Sequence, residues 1–210
     1  MLPGSTICTS VASDQFDKNL ATRYARAMLL CRQACAHFPT IPIITYSQCL
    51  ALVEDKKTER VVFIDVRSHE EREVSMLPGA ISRSDFECLA LDPQAEAQQG
   101  LVLVPYCTIG FRSGEYSAAL LATGWDNGRV YNGAGVVPFS YEPGFRLVSR
   151  ARSAASIRDT ADRAGEEATM QVHVFSCQWD VAHPEYEAHT FDALHSLFQG
   201  AMHLLRKWMS

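Results

Sequence analysis

Continuous apolar stretches alternate along the chain with stretches in which apolar residues recur at helical spacing. The changes between these two patterns mark the predicted strands and helices. Residues 61–67 are mostly apolar and rich in β-branched side chains, and residues 101–107 are apolar throughout, as in strands buried on both faces. A shorter strand is predicted at 129–131. Helical spacing separates these strands, with Ser47 and Gly124 as predicted capping residues. The predicted helices cover residues 45–54, 84–90 and 113–123.

The order of these elements determines the fold class. Strands that alternate with helices between residues 45 and 145 indicate α/β architecture, with a central parallel sheet in a three-layer α/β/α arrangement. Ligands bind at the carboxyl ends of the strands in such sheets. Cys107 directly follows the second buried strand, so it lies where a site is expected. Residues 92–100 show neither period and are predicted to form a loop.

A helical extension precedes this region, and a linker follows it. The predicted N-terminal helix is capped by Ser13 and ends at Pro39. Its apolar face consists of Phe16, Leu20, Tyr24, Ala27, Cys31, Cys35 and Phe38. Residues 149–169 are small and charged, as in a flexible linker.

A C-terminal strand–helix extension completes the chain. The strand is predicted at 171–175 and the helix from Pro184 onwards. An apolar stripe on that helix consists of Phe191, Leu194, Phe198, Met202, Leu205 and Trp208. The predicted parts are therefore the N-terminal extension at 1–44, the α/β domain at 45–148, the linker at 149–169 and the C-terminal extension at 170–210.

Composition and charge argue against several classes of partner. The 210 residues are 47% hydrophobic and 20% charged, and a net charge of −5 without a long basic run argues against nucleic acid. No apolar run reaches the ~20 residues that span a bilayer, and no secretory signal pattern is present. Arg23, Arg26 and Arg32 leave organelle targeting open, although Asp14 and Asp17 are atypical of a transit segment.

The seven cysteines are odd in number and show no disulfide framework. We therefore expect free thiols in a reducing, cytoplasmic compartment. Cys31 and Cys35 share one helical face, and packing in the core or in an interface is their expected role. No metal cofactor is expected, because the nearest candidate set matches no familiar zinc spacing. That set is His173, Cys177, His183 and His189.

Cys107 is the exception among the cysteines, because three neighbouring features stabilise a negatively charged sulfur. The helix that opens near Ser113 directs its free N–H groups and positive dipole end at the preceding loop. Gly110 allows that loop to curl with its amides facing inwards, and Arg112 adds a permanent positive charge. A cysteine nucleophile reacts as the thiolate, so the sequence predicts an anion cradle centred on Cys107.

Four motifs carry a family resemblance. DVR at 65–67, LPGAI at 77–81, YCTIGFRSG at 106–114 and the YNGAGVVPF that follows resemble a rhodanese-like sulfurtransferase domain in order and spacing. The resemblance covers residues 45–148. It implies the rhodanese-like three-layer fold with a central parallel sheet.

The resemblance also implies a double-displacement transfer of sulfane sulfur. Cys107 would take sulfur from a donor of the thiosulfate or mercaptopyruvate type and hold it as a persulfide, with no further cofactor. Arg112 would draw anionic donors to the site, while Asp65 and Arg67 would brace the sheet and the loop. The outer sulfur would be bound by the loop residues Thr108, Ile109, Gly110, Phe111 and Ser113.

The implied partners are a small-molecule sulfur donor and a thiol or cyanide acceptor, with a thioredoxin-like protein as one candidate acceptor. Cys88 and Cys177 are candidate internal acceptors. The apolar stripes of the two extensions predict a homodimer interface or a lid over the site. No nucleic-acid or membrane partner is expected.

Two departures from the family pattern affect the expected specificity. The loop CTIGFR has neither the adjacent basic residues of thiosulfate-preferring rhodaneses nor the CGSGVT-like loop of mercaptopyruvate enzymes, so the donor stays open. Phe139 stands where the family often carries tryptophan, which is expected to change packing rather than chemistry.

Two alternative functions are consistent with the same residues. One is a catalytically silent rhodanese-like recognition module, although such modules commonly lack the cysteine that is present here. The other is a cysteine phosphatase or arsenate reductase, which also combines a cysteine, an amide nest and an arginine. Those enzymes need one more residue between the two than the four that separate Cys107 from Arg112. The shorter loop favours a cradle for a single sulfur atom.

Overall fold

The computed structural model describes residues 6–7, 20–54, 60–98, 100–150, 165–175 and 179–190. The strands in these ranges are β1 (Thr6–Ile7), β2 (Arg60–Asp65), β3 (Ile81–Ser82), β4 (Leu101–Tyr106), β5 (Leu147–Arg150), β6 (Glu166–Thr169), β7 (Gln171–His173) and β8 (Glu187–Thr190). The helices are α1 (Leu20–Cys35), α2 (Tyr46–Glu54), α3 (His69–Val74), α4 (Arg83–Cys88), α5 (Pro93–Gln98), α6 (Phe111–Ala122) and α7 (Val136–Phe139).

A parallel sheet forms the centre of the fold. Its order is β3-β2-β4, and β2 pairs with β4 along its whole length. On the other side of β4, single parallel bridges join Leu103 to Val130 and Asn132 to Ile43. The segments around Val130 and Ile43 therefore extend the sheet, and the strand predicted at 129–131 is reduced to these bridges.

The two faces of β4 explain why its sequence is apolar throughout. All of its residues are buried. Leu101 and Leu103 lie in one cluster with side chains of α4 and α6, whereas Val102 and Val104 lie in another with Cys49 of α2. Helices thus cover both faces of the sheet, and the predicted α/β class with a central parallel sheet is confirmed.

Both extensions share the main hydrophobic core with the α/β region. α1 contributes Ala27, Cys31, Ala34 and Cys35 to that core. The C-terminal segments contribute Val172, Val174, Val181, Ala182, Tyr186 and Ala188. An antiparallel bridge between Met76 and Val148 ties β5 to the loop after α3, and β7 pairs in parallel with β8. The C-terminal part therefore packs beside α3, on the same side as the Cys107 loop.

The first two helices differ from their predicted limits. α1 ends at Cys35 rather than at Pro39, and Leu20 and Tyr24 of the predicted apolar face are each 48% exposed. The predicted cap Ser13 and the face residue Phe16 lie outside the described residues.

α2 is capped by Thr45 rather than by the predicted Ser47. The Gln48 N–H donates to Thr45 Oγ1 at 3.1 Å, and the Thr45 N–H donates to Gln48 Oε1 at 2.8 Å. Ser47 instead binds Glu142: its N–H and its hydroxyl donate hydrogen bonds to Glu142 Oε2 at 2.8 and 2.9 Å.

α6 begins earlier than the helix predicted at 113–123. Gly110 has a left-handed backbone, with φ of 106°, and its carbonyl oxygen accepts the Gly114 N–H at 3.1 Å. This bond starts the helix at Phe111. Arg112 and Ser113 are consequently fixed in the first helical turn rather than on a free loop.

Four further predictions were wrong. The loop expected at 92–100 contains α5, because Pro93 suits a first helical position and Asp92 Oδ1 accepts the Gln94 N–H at 3.0 Å. The last residues of the predicted linker form β6, which pairs with β5. Part of the helix expected from Pro184 is instead β8, which pairs with β7. β2 is fully buried only at Ile64 and Asp65 rather than along its whole length.

The apolar stripe predicted from Phe191 to Trp208 lies outside the described residues, so the dimer and lid remain predictions. Within the described ranges, no helix combines the length and the hydropathy that crossing a membrane requires.

Candidate active site

Cys107 lies at the carboxyl end of β4, in a loop that turns around its sulfur. The Gly110 N–H donates a hydrogen bond to Cys107 Sγ at 3.1 Å. Gly110 is also the residue that precedes α6, so the positive end of this helix faces the sulfur. Cys107 is 2% exposed. A negative charge on Sγ is therefore stabilised by fixed dipoles in surroundings that exclude most water.

The Ser113 hydroxyl is a second hydrogen-bond donor near the sulfur, and the charge of Cys107 determines which acceptor it binds. Its Oγ lies 3.4 Å from Cys107 Sγ and 2.8 Å from Asn132 Oδ1. A hydroxyl has one proton, and a neutral thiol leaves that proton with the closer amide oxygen. A thiolate is the stronger acceptor and favours the bond to sulfur. Asn132 Oδ1 then still accepts the Ala134 N–H at 3.1 Å.

Asn132 connects the segments that surround the loop. Its Nδ2 donates to the Gly110 carbonyl oxygen at 2.9 Å and lies 3.4 Å from Cys35 Sγ. Its Oδ1 accepts from Ser113 and Ala134, as described above. These partners fix the orientation of the amide group, because Nδ2 can only donate hydrogen bonds and Oδ1 can only accept them. Asn132 is 1% exposed, so α1, the loop and α6 are held in one buried network.

Two glycines allow the loop to be this compact. A Cβ added at Gly110 would lie 2.6 Å from Cys35 Sγ, and one added at Gly135 would lie 2.5 Å from the backbone of Thr108. Both glycines also have positive φ, 106° and 146°, which a side chain disfavours. Neither position therefore accommodates another residue without movement of the loop.

Arg112 forms an ion pair with Glu71, a partner that the sequence did not predict. Its two terminal nitrogens donate to Glu71 Oε2 at 2.6 Å and Oε1 at 2.9 Å, and one of them also donates to Thr108 Oγ1 at 3.2 Å. The Arg112 side chain is 32% exposed, whereas that of Glu71 is 7% exposed. The guanidinium therefore anchors the loop and still presents one edge to solvent.

Glu71 is held by its own helix and by the C-terminal segment. It accepts the Ser68 N–H at 3.0 Å in the capping box of α3, and His173 Nδ1 of β7 lies 3.1 Å from Glu71 Oε1. Burial alone would raise the pKa of Glu71, but Arg112 and then His173 hold it well below its usual range. Glu71 is consequently an anion that joins the Cys107 loop to α3 and β7.

Asp65 and Arg67 form a second, closed ion pair at the end of β2. Arg67 donates to Asp65 Oδ2 at 2.7 Å and to the Ser75 carbonyl oxygen at 2.6 Å, and both charged side chains have 0% exposure. The Tyr106 hydroxyl donates to Asp65 Oδ2 at 2.6 Å and accepts the Leu77 N–H at 3.1 Å. Burial and then Asp65 raise the pKa of Tyr106, which keeps it a donor. This network braces β2 and β4 beneath the loop.

The segment at the end of α1 covers the loop from the other side. The Phe111 ring packs edge-on against the rings of His37 and Phe38, with centroids 5.3 and 5.4 Å apart. Cys35 lies against Gly110, and its Sγ is 3.9 Å from Cys31 Sγ. The N-terminal extension therefore forms one wall of the site.

The structure brings together all the residues predicted to form the loop. Thr108, Ile109 and Ser113 are buried, and Phe111 and Arg112 are partly exposed. Phe139 is 1% exposed and packs against Tyr46 and Phe145, with ring centroids 5.6 and 6.3 Å apart.

Four residues of the site were not predicted from the sequence: Glu71, Asn132, Cys35 and Tyr106. Asn132 and Tyr106 stand inside quoted motifs but were given no role. Glu71 follows Ser68 by three positions, which is the signal of a capping box rather than of a site.

The remaining cysteines and histidines were also considered as metal ligands. In the part of the chain that the structure describes, no group of three or more His, Cys, Asp and Glu side chains is arranged to hold a metal. Cys88 is exposed at the end of α4, and Cys177 lies outside the described residues.

Comparison with known proteins identifies the central region. The family model of the rhodanese-like domain matches residues 45–135. A solved structure of a protein of unknown function from Rhodopseudomonas palustris CGA009, described as a possible tyrosine phosphatase, is 21% identical over 58% of this chain and 89% of that chain. Its TM-score of 0.37 carries no functional argument. No curated protein matches the chain.

The matched region runs from the cap of α2, through β2 and β4, to the glycine that precedes α7, and it includes the Cys107 loop. The resemblance predicted from the four motifs is thus confirmed: residues 45–135 match the rhodanese-like domain family.

Proposed function

We propose that this protein is a sulfurtransferase that carries sulfane sulfur as a persulfide on Cys107. The observation that supports this most directly is the hydrogen bond from the Gly110 N–H to Cys107 Sγ at 3.1 Å. A donor fixed at this distance stabilises the thiolate that attacks and the thiolate that leaves. The α6 N-terminus adds to the same stabilisation.

In the first half-reaction, the Cys107 thiolate attacks the outer sulfur of a small donor. With thiosulfate, a new S–S bond forms, the old S–S bond breaks, and sulfite leaves with the bonding electron pair. With mercaptopyruvate, the C–S bond breaks, and the carbon retains the electron pair and takes up a proton to give pyruvate. Both routes leave a persulfide inside the loop that runs from Thr108 to Ser113, with no cofactor required.

In the second half-reaction, an acceptor thiolate or cyanide attacks the outer sulfur of the persulfide. The S–S bond to Cys107 breaks, and its electron pair returns to Cys107 Sγ. The Gly110 N–H and the Ser113 hydroxyl stabilise that departing charge. A small thiol or a thioredoxin-like protein would serve as the acceptor.

Arg112 contributes position as well as charge in this proposal. Its bidentate contact with Glu71 and its bond to Thr108 hold the loop in the shape that directs Gly110 at the sulfur. The exposed edge of the guanidinium remains available to an anionic donor. Because Glu71 offsets much of the charge, attraction of donors is weaker than a free arginine would give.

Intact-protein mass spectrometry tests the proposal. Wild-type protein incubated with thiosulfate, and separately with mercaptopyruvate, should gain the mass of one sulfur, ~32 Da, and cyanide should remove it. Cys107→Ser should gain nothing. Cys88→Ser is the matched control, because Cys88 is an exposed cysteine outside the site, and it should load as the wild type does.

The competing functions predict other results. No adduct with either donor, together with unchanged partner binding by Cys107→Ser, would indicate a silent recognition module. Turnover of an aryl phosphate or of arsenate that depends on Cys107 would indicate phosphatase or reductase chemistry. Either result would overturn the proposed sulfur transfer.

A further inference from the structure

Three sulfur-bearing side chains lie on one face of α1. Met28 precedes Cys31 by three positions, and Cys31 precedes Cys35 by four, which is the spacing that places side chains on the same side of a helix. Cys31 Sγ lies 3.9 Å from Cys35 Sγ. Both cysteines are buried in the main core, and Met28 packs against that core. These three side chains form the α1 sulfur cluster.

A cavity gives access to this cluster. It has a volume of about 460 Å³ and lies between α1, α2 and α7. Met28 and Cys31 line it together with mostly apolar side chains such as Phe139. Cys35 is not part of the lining and packs against Gly110. A small solute in the cavity would therefore meet Met28 and Cys31 before Cys35.

We propose that the α1 sulfur cluster binds a soft monovalent metal ion, Cu(I), with Met28, Cys31 and Cys35 as its three ligands. Thiolate and thioether sulfur are the protein ligands that select Cu(I). A thiolate–metal bond is about 2.3 Å long in zinc sites, so two sulfurs at 120° around one ion lie about 4 Å apart. The observed separation of 3.9 Å is close to that value. The site is separate from Cys107 and does not rest on the proposed sulfur transfer.

The two thiols differ in how readily they lose a proton. A hydrogen bond from Cys35 lowers the pKa of Cys31, although burial opposes this shift, and Arg32 adds to it. The same hydrogen bond, then burial and the charge of Cys31, raise the pKa of Cys35. Without a metal ion, Cys31 is therefore the first of the two to become a thiolate, and Cys35 remains a thiol.

Binding of Cu(I) removes the cause that keeps the proton on Cys35. A bond from the Cys31 thiolate to the ion takes up the electron pair that accepted the Cys35 S–H and neutralises the nearby negative charge. The Cys35 proton then passes to the buffer, and Cys35 Sγ forms the second S–Cu bond. Met28 Sδ donates an electron pair as the third ligand. Copper stays Cu(I), so no oxidant or reductant is consumed, and the release of protons makes the affinity rise with pH.

Other metal ions need ligands that the cluster does not supply. Zn(II) takes four ligands from Cys, His, Asp and Glu in structural sites. In the ranges that the structure describes, no three such side chains are arranged around one point. Ca²⁺ and Mg²⁺ need several oxygen ligands, whereas the cavity beside the cluster is lined mainly by apolar side chains. The donor set therefore selects a soft ion that accepts few ligands.

Anaerobic competition titration with a chromogenic chelator tests the site. The reference protein is full-length Cys107→Ser, because the Cys107 thiolate is itself a ligand for copper. This protein should take one equivalent of Cu(I) from its bicinchoninate complex. Cys31→Ser and Cys35→Ser in the same background should each weaken binding by about a hundredfold or more, because each removes a thiolate. Met28→Leu keeps the size of the side chain and should weaken binding by about tenfold.

Matched variants control for changes unrelated to the metal. Cys88→Ser removes an exposed cysteine outside the cluster and should leave the affinity unchanged. Cys31→Ala and Cys35→Ala repeat the loss of sulfur with the residue that best supports a helix, and circular dichroism verifies that each variant is folded. An equal concentration of Zn(II) should not displace Cu(I), and a higher pH should strengthen its binding.

X-ray absorption at the copper edge gives a readout that needs no substitution in α1. Cys107→Ser loaded with one equivalent should show the edge of Cu(I) and a first coordination shell of three sulfur atoms. Met28→Leu and Cys35→Ser should each show one sulfur fewer.

The outcomes separate this site from the proposed function. Unchanged affinity in both Cys31→Ser and Cys35→Ser, or a shell of nitrogen and oxygen atoms in the reference protein, overturns the site. Unchanged affinity in Met28→Leu overturns the arrangement of three ligands. Displacement of Cu(I) by an equal concentration of Zn(II) overturns the choice of ion. The mass gain of the wild-type protein with thiosulfate depends on none of these results, so failure of the copper site leaves the proposed sulfur transfer as it stands.

Discussion

Two arginine–carboxylate pairs lie beside the Cys107 loop, and their surroundings give them different roles. The Arg67 and Asp65 side chains have 0% exposure, and both ends of the pair lie within the parallel sheet and its adjoining loop. The Arg112 side chain is 32% exposed, and its partner Glu71 links the loop to α3 and β7. The buried pair is therefore suited to bracing the sheet, whereas the exposed edge of Arg112 in the other pair is accessible to solutes.

The sealed pair should show the largest effect on stability. Asp65→Ala leaves the Arg67 charge buried without its carboxylate and removes the acceptor of Tyr106. We expect the free energy of unfolding to fall by about 3–5 kcal/mol, as measured by urea denaturation at neutral pH. A loss of under about 1 kcal/mol would show that the pair is not the brace described above.

The partly exposed pair of Glu71 and Arg112 should contribute less to the free energy of unfolding. Glu71→Gln removes the charge opposite Arg112 and His173 while it keeps the shape of the side chain. Because one edge of Arg112 is solvated, we expect a loss of about 2–3 kcal/mol at neutral pH.

The pH dependence of that difference checks its electrostatic origin. The pKa of Glu71 is lower in the folded protein than its ordinary value of 4.5, so the unfolded chain is protonated first as the pH falls. The advantage of the wild type over Glu71→Gln should be constant above pH 4.5 and decrease only below it. An advantage that is lost between neutral pH and that value would contradict the assignment.

Exchange of Arg112 for lysine tests the functional side of the comparison. Arg112→Lys keeps one positive charge but loses the bidentate contact and the bond to Thr108. We expect persulfide formation from thiosulfate to slow by about tenfold, through a higher KM. Stopped-flow or quench kinetics would measure it. An unchanged KM would exclude a role for Arg112 in donor binding.

An exposed pair gives the smallest effect and serves as a reference. Arg83 and Glu87 on α4 are 55% and 50% exposed, with a contact of 2.8 Å. Glu87→Gln should change the free energy of unfolding by no more than about 0.5 kcal/mol. A larger change in the same denaturation series would mean that exposure does not account for the difference between the two pairs.

The parts of the molecule that the sequence predicts well are those with a local signal. Continuous apolar residues identified β4, and Cys107, Gly110 and Arg112 located the candidate site, because they follow a strand end and adjoin a helix N-terminus in the sequence itself. The fold class followed from the alternation of strands and helices.

The parts that the sequence did not predict depend on distant contacts. Glu71 meets His173 and Arg112 only through tertiary packing, and Cys35 reaches Gly110 only because α1 folds back over the loop. Residues 187–190 form a strand because they pair with the parallel edge of β7, and nothing in their own sequence predicts that pairing. Such pairings have no period in the sequence and therefore no local signature.

The contact between Glu71 and His173 has a consequence for the order in which the protein matures on the ribosome. Residues 45–135, which hold the rhodanese-like match, are synthesised before His173 exists. At about 5–20 residues per second, roughly 2–8 s separate the end of that stretch from the arrival of His173. During this interval the nascent chain already contains Cys107, Arg112 and Glu71, while β7 is still missing. The rim of the site is thus completed by a segment that is translated after the rhodanese-like match.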